Sequence, residues 1–134
     1  MTSPGRGADL AAFTAISRWP HRLQKVLVAN RGEIARRFFF ALREAGIPSV
    51  AVVTDPDRDQ SWSDGADEVV YIGHGDHYTS IPAILAAARS SGANAIYPGY
   101  GFLSENPEFP AAVEAAGDLI FMGPPARVMR RVGH

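Results

Sequence analysis

Cysteine is absent from the 134 residues, so neither a disulfide framework nor thiolate chemistry is available. Lysine occurs once, at Lys25, directly before an apolar run where it reads as a solvated strand end rather than a catalytic group. No G-x-x-x-x-G-K-[ST] or G-x-G-x-x-G pattern occurs. That excludes the two common glycine-rich phosphate cradles and leaves the chain without a complete nucleotide site. Charge of one sign is missing too: 13 Lys plus Arg face 14 Asp plus Glu, a formal net charge of −1. Such balance leaves no footprint for nucleic acid or an anionic membrane surface and favours a small-molecule or protein partner. No apolar run approaches the roughly 20 residues of a spanning helix, so no membrane partner is expected.

What is present suits one α/β domain. Hydrophobic residues make up 46% of the chain, enough for one core and too little length for two. Residues 1–24 read as an extension. Met1 to Gly7 is a small-residue tail expected to be disordered, and Leu10, Phe13 and Ile16 sit at helical spacing within Ala8 to Arg18. Arg6, Arg18 and Arg22 against a single acid, Asp9, leave a transit peptide or a docking helix open. From Lys25 to His134 the pattern is regular. Val26 to Ala29 predicts a strand. Gly32 to Ala45 predicts a helix with Ile34, Phe38, Ala41, Leu42 and Ala45 on its core side, ended by Gly46. Ser49 to Val53, Glu68 to Ile72, Ala95 to Tyr97 and Leu119 to Met122 predict four more strands. Ile81 to Ser90, the stretch opened by Asn106 and Pro107 and closed by Gly117, and Pro124 to Val132 predict the remaining helices.

Short apolar strands alternating with helices imply a Rossmann-like open parallel sheet of about five strands, order 3-2-1-4-5, with helices on both faces. The winding reverses between strands 1 and 4, where open α/β sheets receive their ligands. Two loops meet there: Asn30, Arg31, Gly32 and Glu33 after strand 1, and "YPGYGFLSEN" after strand 4. The second loop alternates aromatic groups with glycines that permit close approach to the backbone. Asp55, Asp57 and Asp59 read as a solvated acidic turn around Pro56. His74 and His77 have no further ligands near in sequence, so no metal is expected.

In their order and spacing, "KVLVANRGEIARR", "DPDRD", "ADEVVYIG", "AIYPGYGFLSEN" and "FMGP" resemble the N-terminal, pre-ATP-grasp domain of biotin carboxylase, a component of acetyl-CoA, propionyl-CoA and pyruvate carboxylases. The resemblance runs from about Lys25 to Gly133. It implies a ligase that converts biotin, bicarbonate and MgATP to carboxybiotin, ADP and phosphate. Its implied partners are an ATP-grasp region and a biotin carboxyl carrier protein, in the cytoplasm or, left open, the mitochondrial matrix. In that family the catalytic lysines, the Mg-binding carboxylates and the glycine-rich lid belong to a region beginning just after "VMRRVGH". The chain is therefore expected to be the pre-ATP-grasp domain alone, with no catalytic residue and no tightly bound cofactor of its own. The alternative is a free-standing, inactive binding or interaction module on the same scaffold.

The resemblance also places residues. Tyr100 and Gly101 match a biotin-facing wall, and Glu105 matches the glutamate of the same motif. Each has a plainer reading: Tyr100 as a packed loop anchor, Gly99 and Gly101 as turn formers, Glu105 as a helix-terminus acid. For the first loop the plainer reading is favoured, with Glu33 complementing the helix dipole and Arg31 pairing with a carboxylate such as Glu105. Arg37, Phe40 and Glu44 match a homodimer face on the first helix of the family's domain, where a basic residue is usual at the Phe40 position. Tyr97 and Trp62 also depart from the pattern, each standing where His is common.

Overall fold

Apolar runs of three residues, such as Val26–Val28, are too short for a buried helix, and the helices that separate them supply the crossovers that parallel pairing needs. The computed structural model describes residues 10–19, 22–101 and 103–132. The tail expected over residues 1–7 lies outside them. Strands β1 (Val26–Val28), β2 (Ser49–Thr54), β3 (Glu68–Gly73), β4 (Ala95–Tyr97) and β5 (Ile120–Phe121) form one parallel sheet in the order β3-β2-β1-β4-β5. This is the predicted order. The middle strand β1 is wholly buried, and Val28 lies level with Ala51 on one side and Tyr97 on the other.

Helices α1 (Leu10–Ser17), α2 (Gly32–Glu44), α3 (Ile81–Ser91), α4 (Glu108–Ala116) and α5 (Ala126–Val132) cover both faces. Phe38 of α2 stacks on Tyr97 with ring centroids 3.6 Å apart, whereas Phe109 of α4 meets Phe121 edge to face. Ile96 is the register partner of Phe121, so these two share a face and Tyr97 points to the other. α4 begins one residue later than Pro107 at the first helical position would place it, and the Asn106 carboxamide oxygen accepts from the Glu108 N–H at 3.0 Å.

Two packing expectations need correction. On α2, Phe38, Ala41 and Leu42 are buried as expected, but Ala45 is exposed and Phe39 is buried as well. A 3-10 turn at Ser61–Gly65 supplies the reason, since Trp62 stacks against Phe39 and widens the buried stripe of the helix. Lys25 is likewise no solvated end. Its ammonium donates to the Ser91 carbonyl at 2.8 Å and pairs with Glu68 at 2.7 Å, at the amino end of β1.

Candidate functional site

At the carboxyl ends of β1 and β4 the loops are joined by backbone and side chain together. Ala29 N–H donates to the Tyr97 carbonyl at 2.8 Å. Asn30, fully buried, then turns its carboxamide across to the second loop: Nδ2 donates to the carbonyls of Pro98 (2.9 Å) and Tyr100 (2.6 Å). Its Oδ1 accepts from Arg31 N–H at 2.9 Å. Two carbonyls facing one nitrogen fix the amide orientation, and a buried amide so engaged meets the demand that buried polar groups be paired. Asn30 therefore clamps the two loops, and Gly99 makes this possible. A Cβ on Gly99 would lie 2.6 Å from Asn30 Nδ2 and 3.0 Å from Ile34 Cγ2.

The neighbouring Arg31 has Asp57, not Glu105, as its carboxylate partner. Its Nε and Nη2 each lie 2.5 Å from a carboxylate oxygen of Asp57, and Glu105 is exposed in its loop. The expected Arg31 to Glu105 pairing is thus replaced by a bidentate fork of the kind guanidinium geometry favours. Asp57 also accepts from the Tyr78 hydroxyl at 2.6 Å, and that hydroxyl accepts from Thr54 N–H at 3.3 Å. Asp57 is 4% exposed, so the acidic turn is not solvated throughout: Asp55 and Asp59 face water while Asp57 points inward. Hydrogen bonds from Arg31 hold the Asp57 carboxyl below its ordinary range despite burial, helped by Tyr78. Burial first, and the Asp57 carboxylate second, push the Tyr78 phenol up.

Beyond the clamp lies a cleft of about 250 Å³. Ile34, Phe38, Tyr97 and Tyr100 give it apolar and aromatic walls, Glu33 and Arg37 form polar ones, and Ala12 reaches it from α1. Tyr100 is 62% exposed, and Gly101, at φ +65°, has open space where a side chain would begin. Glu33 accepts from Arg36 (2.7 Å) and Arg37 (3.2 Å), and these bonds lower its pKa to about 2. Arg37 is thereby tied to the first turn of α2. Phe40 stays 43% exposed, so the described N-terminal residues do not bury it, and Glu44 is exposed. No helix among the described residues is long and apolar enough to cross a membrane.

The cleft can take a small, flat, largely apolar group with a polar edge. It does not fit a triphosphate: the lone lysine is engaged at the other end of β1, and Arg31 is committed to Asp57. The fold is a Rossmann-like sheet whose two switch-point loops are clamped together beside an aromatic wall, at the place where open α/β sheets receive ligands.

The family model for the biotin carboxylase N-terminal domain matches residues 22–129. The chain belongs to that family. It is 51% identical over 114 residues to a biotin carboxylase of Haemophilus influenzae, covering 83% of this chain and 25% of that protein. To the mitochondrial pyruvate carboxylase of Rattus norvegicus it is 45% identical over 115 residues, covering 83% of this chain and 10% of that one. A crystal structure of Campylobacter jejuni biotin carboxylase, a βγ-ATP complex, superposes with a TM-score of 0.77 at 40% identity, over 81% of this chain and 25% of that one. The chain thus spans about a quarter of the length of the biotin carboxylases it matches.

Asp57 is the structural residue that sequence reasoning missed at this site. Its only local signal was Pro56, which favours a turn and says nothing of which carboxylate faces inward.

Proposed function

We propose that residues 25–134 are the N-terminal domain of a biotin carboxylase, supplying part of the biotin pocket and a platform for an ATP-grasp region, with residues 1–24 an extension. The observation that supports this most directly is the Asn30 clamp, which holds Tyr100 exposed beside an aromatic cleft at the switch point. In this reading the Tyr100 ring packs beside the ureido ring of biotin on its carrier protein, Gly101 offers unobstructed backbone, and Glu105 lies in the same loop. ATP and Mg are held by the ATP-grasp region, where ATP drives carboxylation of biotin by bicarbonate. The matching relatives include bacterial and mitochondrial proteins, and a cytoplasmic or matrix location accords with both.

The isolated chain is expected to show no bicarbonate- and biotin-dependent ATP hydrolysis above a protein-free control, and activity should appear when the remaining carboxylase polypeptide is added in trans. Turnover by the isolated chain, abolished by altering the chain itself, would contradict the division of labour.

Arg37, Phe40 and Glu44 are proposed as a homodimer face. Covering what remains exposed of two symmetry-related Phe40 rings is worth about 1–2 kcal/mol, roughly 5- to 30-fold in a dimer constant. Sedimentation equilibrium of Phe40→Arg should show that much weaker self-association, and two identical monomers would leave the face without a role.

A further inference from the structure

Tyr100 stands between two glycines at positive φ, Gly99 at +67° and Gly101 at +65°. Glycine populates this region and the negative-φ regions about equally well, so neither residue fixes the course of the chain by itself. The Tyr100 ring is exposed and has little packing of its own to hold it. Its position is therefore set from outside its own segment. Asn30 is the side chain that reaches that segment. It follows the wholly buried strand β1 and is itself fully buried, and its one nitrogen donates to the carbonyls of the residues before and after Gly99, Pro98 and Tyr100, 68 and 70 positions away. The amide has no freedom to turn: Oδ1 accepts from Arg31 N–H, and a flipped amide would set its oxygen against two carbonyl oxygens. Asn30 does not itself line the cleft.

We propose that Asn30 is the positioning residue of the Tyr100 wall: its carboxamide carries the rigidity of the central strand to the ring and thereby sets the affinity for biotin. This role rests on the function inferred above, and Asn30 acts only through Tyr100. A wall already in place when the ligand arrives needs no ordering on binding, whereas a loosened one is ordered as the ligand binds and weakens it.

Asn30→Asp keeps the shape of the side chain and the acceptor for Arg31 N–H and removes the donor; Asn30→Ala serves if a buried charge prevents folding. Lys25→Met is the control, since it unties the opposite end of the same strand. In this chain alone, the carbonyl-carbon resonances of Pro98 and Tyr100 should both shift when Asn30 is replaced and stay in place in Lys25→Met. Resonances that do not respond to the loss of Asn30 overturn the proposal. In the assembled carboxylase the KM for biotin should rise about tenfold in Asn30→Asp, with the KM for ATP within about twofold, and Lys25→Met should leave both within about twofold. Combining Asn30→Asp with Tyr100→Ala separates positioning from a general loss of structure. If Asn30 acts through the ring, the double variant should show about the tenfold rise of either single one, not the roughly 100-fold of two independent effects. A roughly 100-fold rise, an equal rise in both KM values, or an unchanged biotin KM in Asn30→Asp while Tyr100→Ala raises it overturns the role of Asn30 and leaves the biotin reading standing. An unchanged biotin KM in every variant overturns both.

Discussion

Gly99→Val should cost the domain about 3–5 kcal/mol, enough to unfold much of a marginally stable chain. Two effects add. Gly99 sits at φ +67°, where a side chain, and a β-branched one above all, costs about 1–3 kcal/mol. The new Cβ would also meet Asn30 Nδ2 at 2.6 Å, and forcing extra volume into a packed site costs about 1–3 kcal/mol. Asn30 has little room to yield, because its amide is engaged by Pro98 and Tyr100 on one side and Arg31 on the other. Gly101 offers the internal control. It has nearly the same φ and nothing within 4 Å of a built Cβ, so Gly101→Ala should show only the conformational cost, about 1–2 kcal/mol. Denaturant unfolding of the two variants measures the difference. Equal losses would mean that the contact with Asn30 adds nothing.

The second large effect falls on Asp57. Asp57→Ala removes the acceptor of both Arg31 and Tyr78. Arg31 is 43% exposed along its side chain and finds water, so breaking the pair costs less than the 3–5 kcal/mol of a fully buried one. The buried Tyr78 hydroxyl loses its carboxylate acceptor at about 1–3 kcal/mol. A total of about 2–4 kcal/mol follows. Asp57→Asn keeps an acceptor for Tyr78 and should lose about half as much. The pH dependence has a definite sign. Because the folded-state pKa of Asp57 is depressed, its contribution is intact above the ordinary carboxylate range near pH 4 and is lost as pH falls below it. Natural chain and Asp57→Asn should therefore converge in stability on acidification. A gap unchanged between pH 7 and pH 3 would remove Asp57 from the account.

Much of the fold was legible because the strands are short apolar runs and helix ends are marked by Gly46, by Asn106 with Pro107 and by Gly117, signals that act within a few residues. The switch point followed from topology, and with it the meeting of the loops after β1 and β4. The contacts between those loops did not follow. Asn30 reaches Tyr100 across 70 positions, and Arg31 reaches Asp57 across 26, so no local pattern could choose Asp57 over Glu105. Phe39 was hidden for a related reason, since its burial depends on Trp62 in a 3-10 turn beyond the following strand.

The central claim is that Tyr100 is held out for a ligand and does not serve the core. Tyr100→Ala, placed in the assembled carboxylase, tests it through the separate requirements for biotin and ATP. With 62% of the residue exposed, truncation should change the stability of this domain by less than about 1 kcal/mol, in contrast to the roughly 3–5 kcal/mol of a buried aromatic. The KM for biotin should rise by about tenfold or more, as removal of one aromatic wall contact worth about 1–2 kcal/mol predicts, while the KM for ATP stays within about twofold. An unchanged biotin KM, or a large loss of stability in its place, would contradict the account.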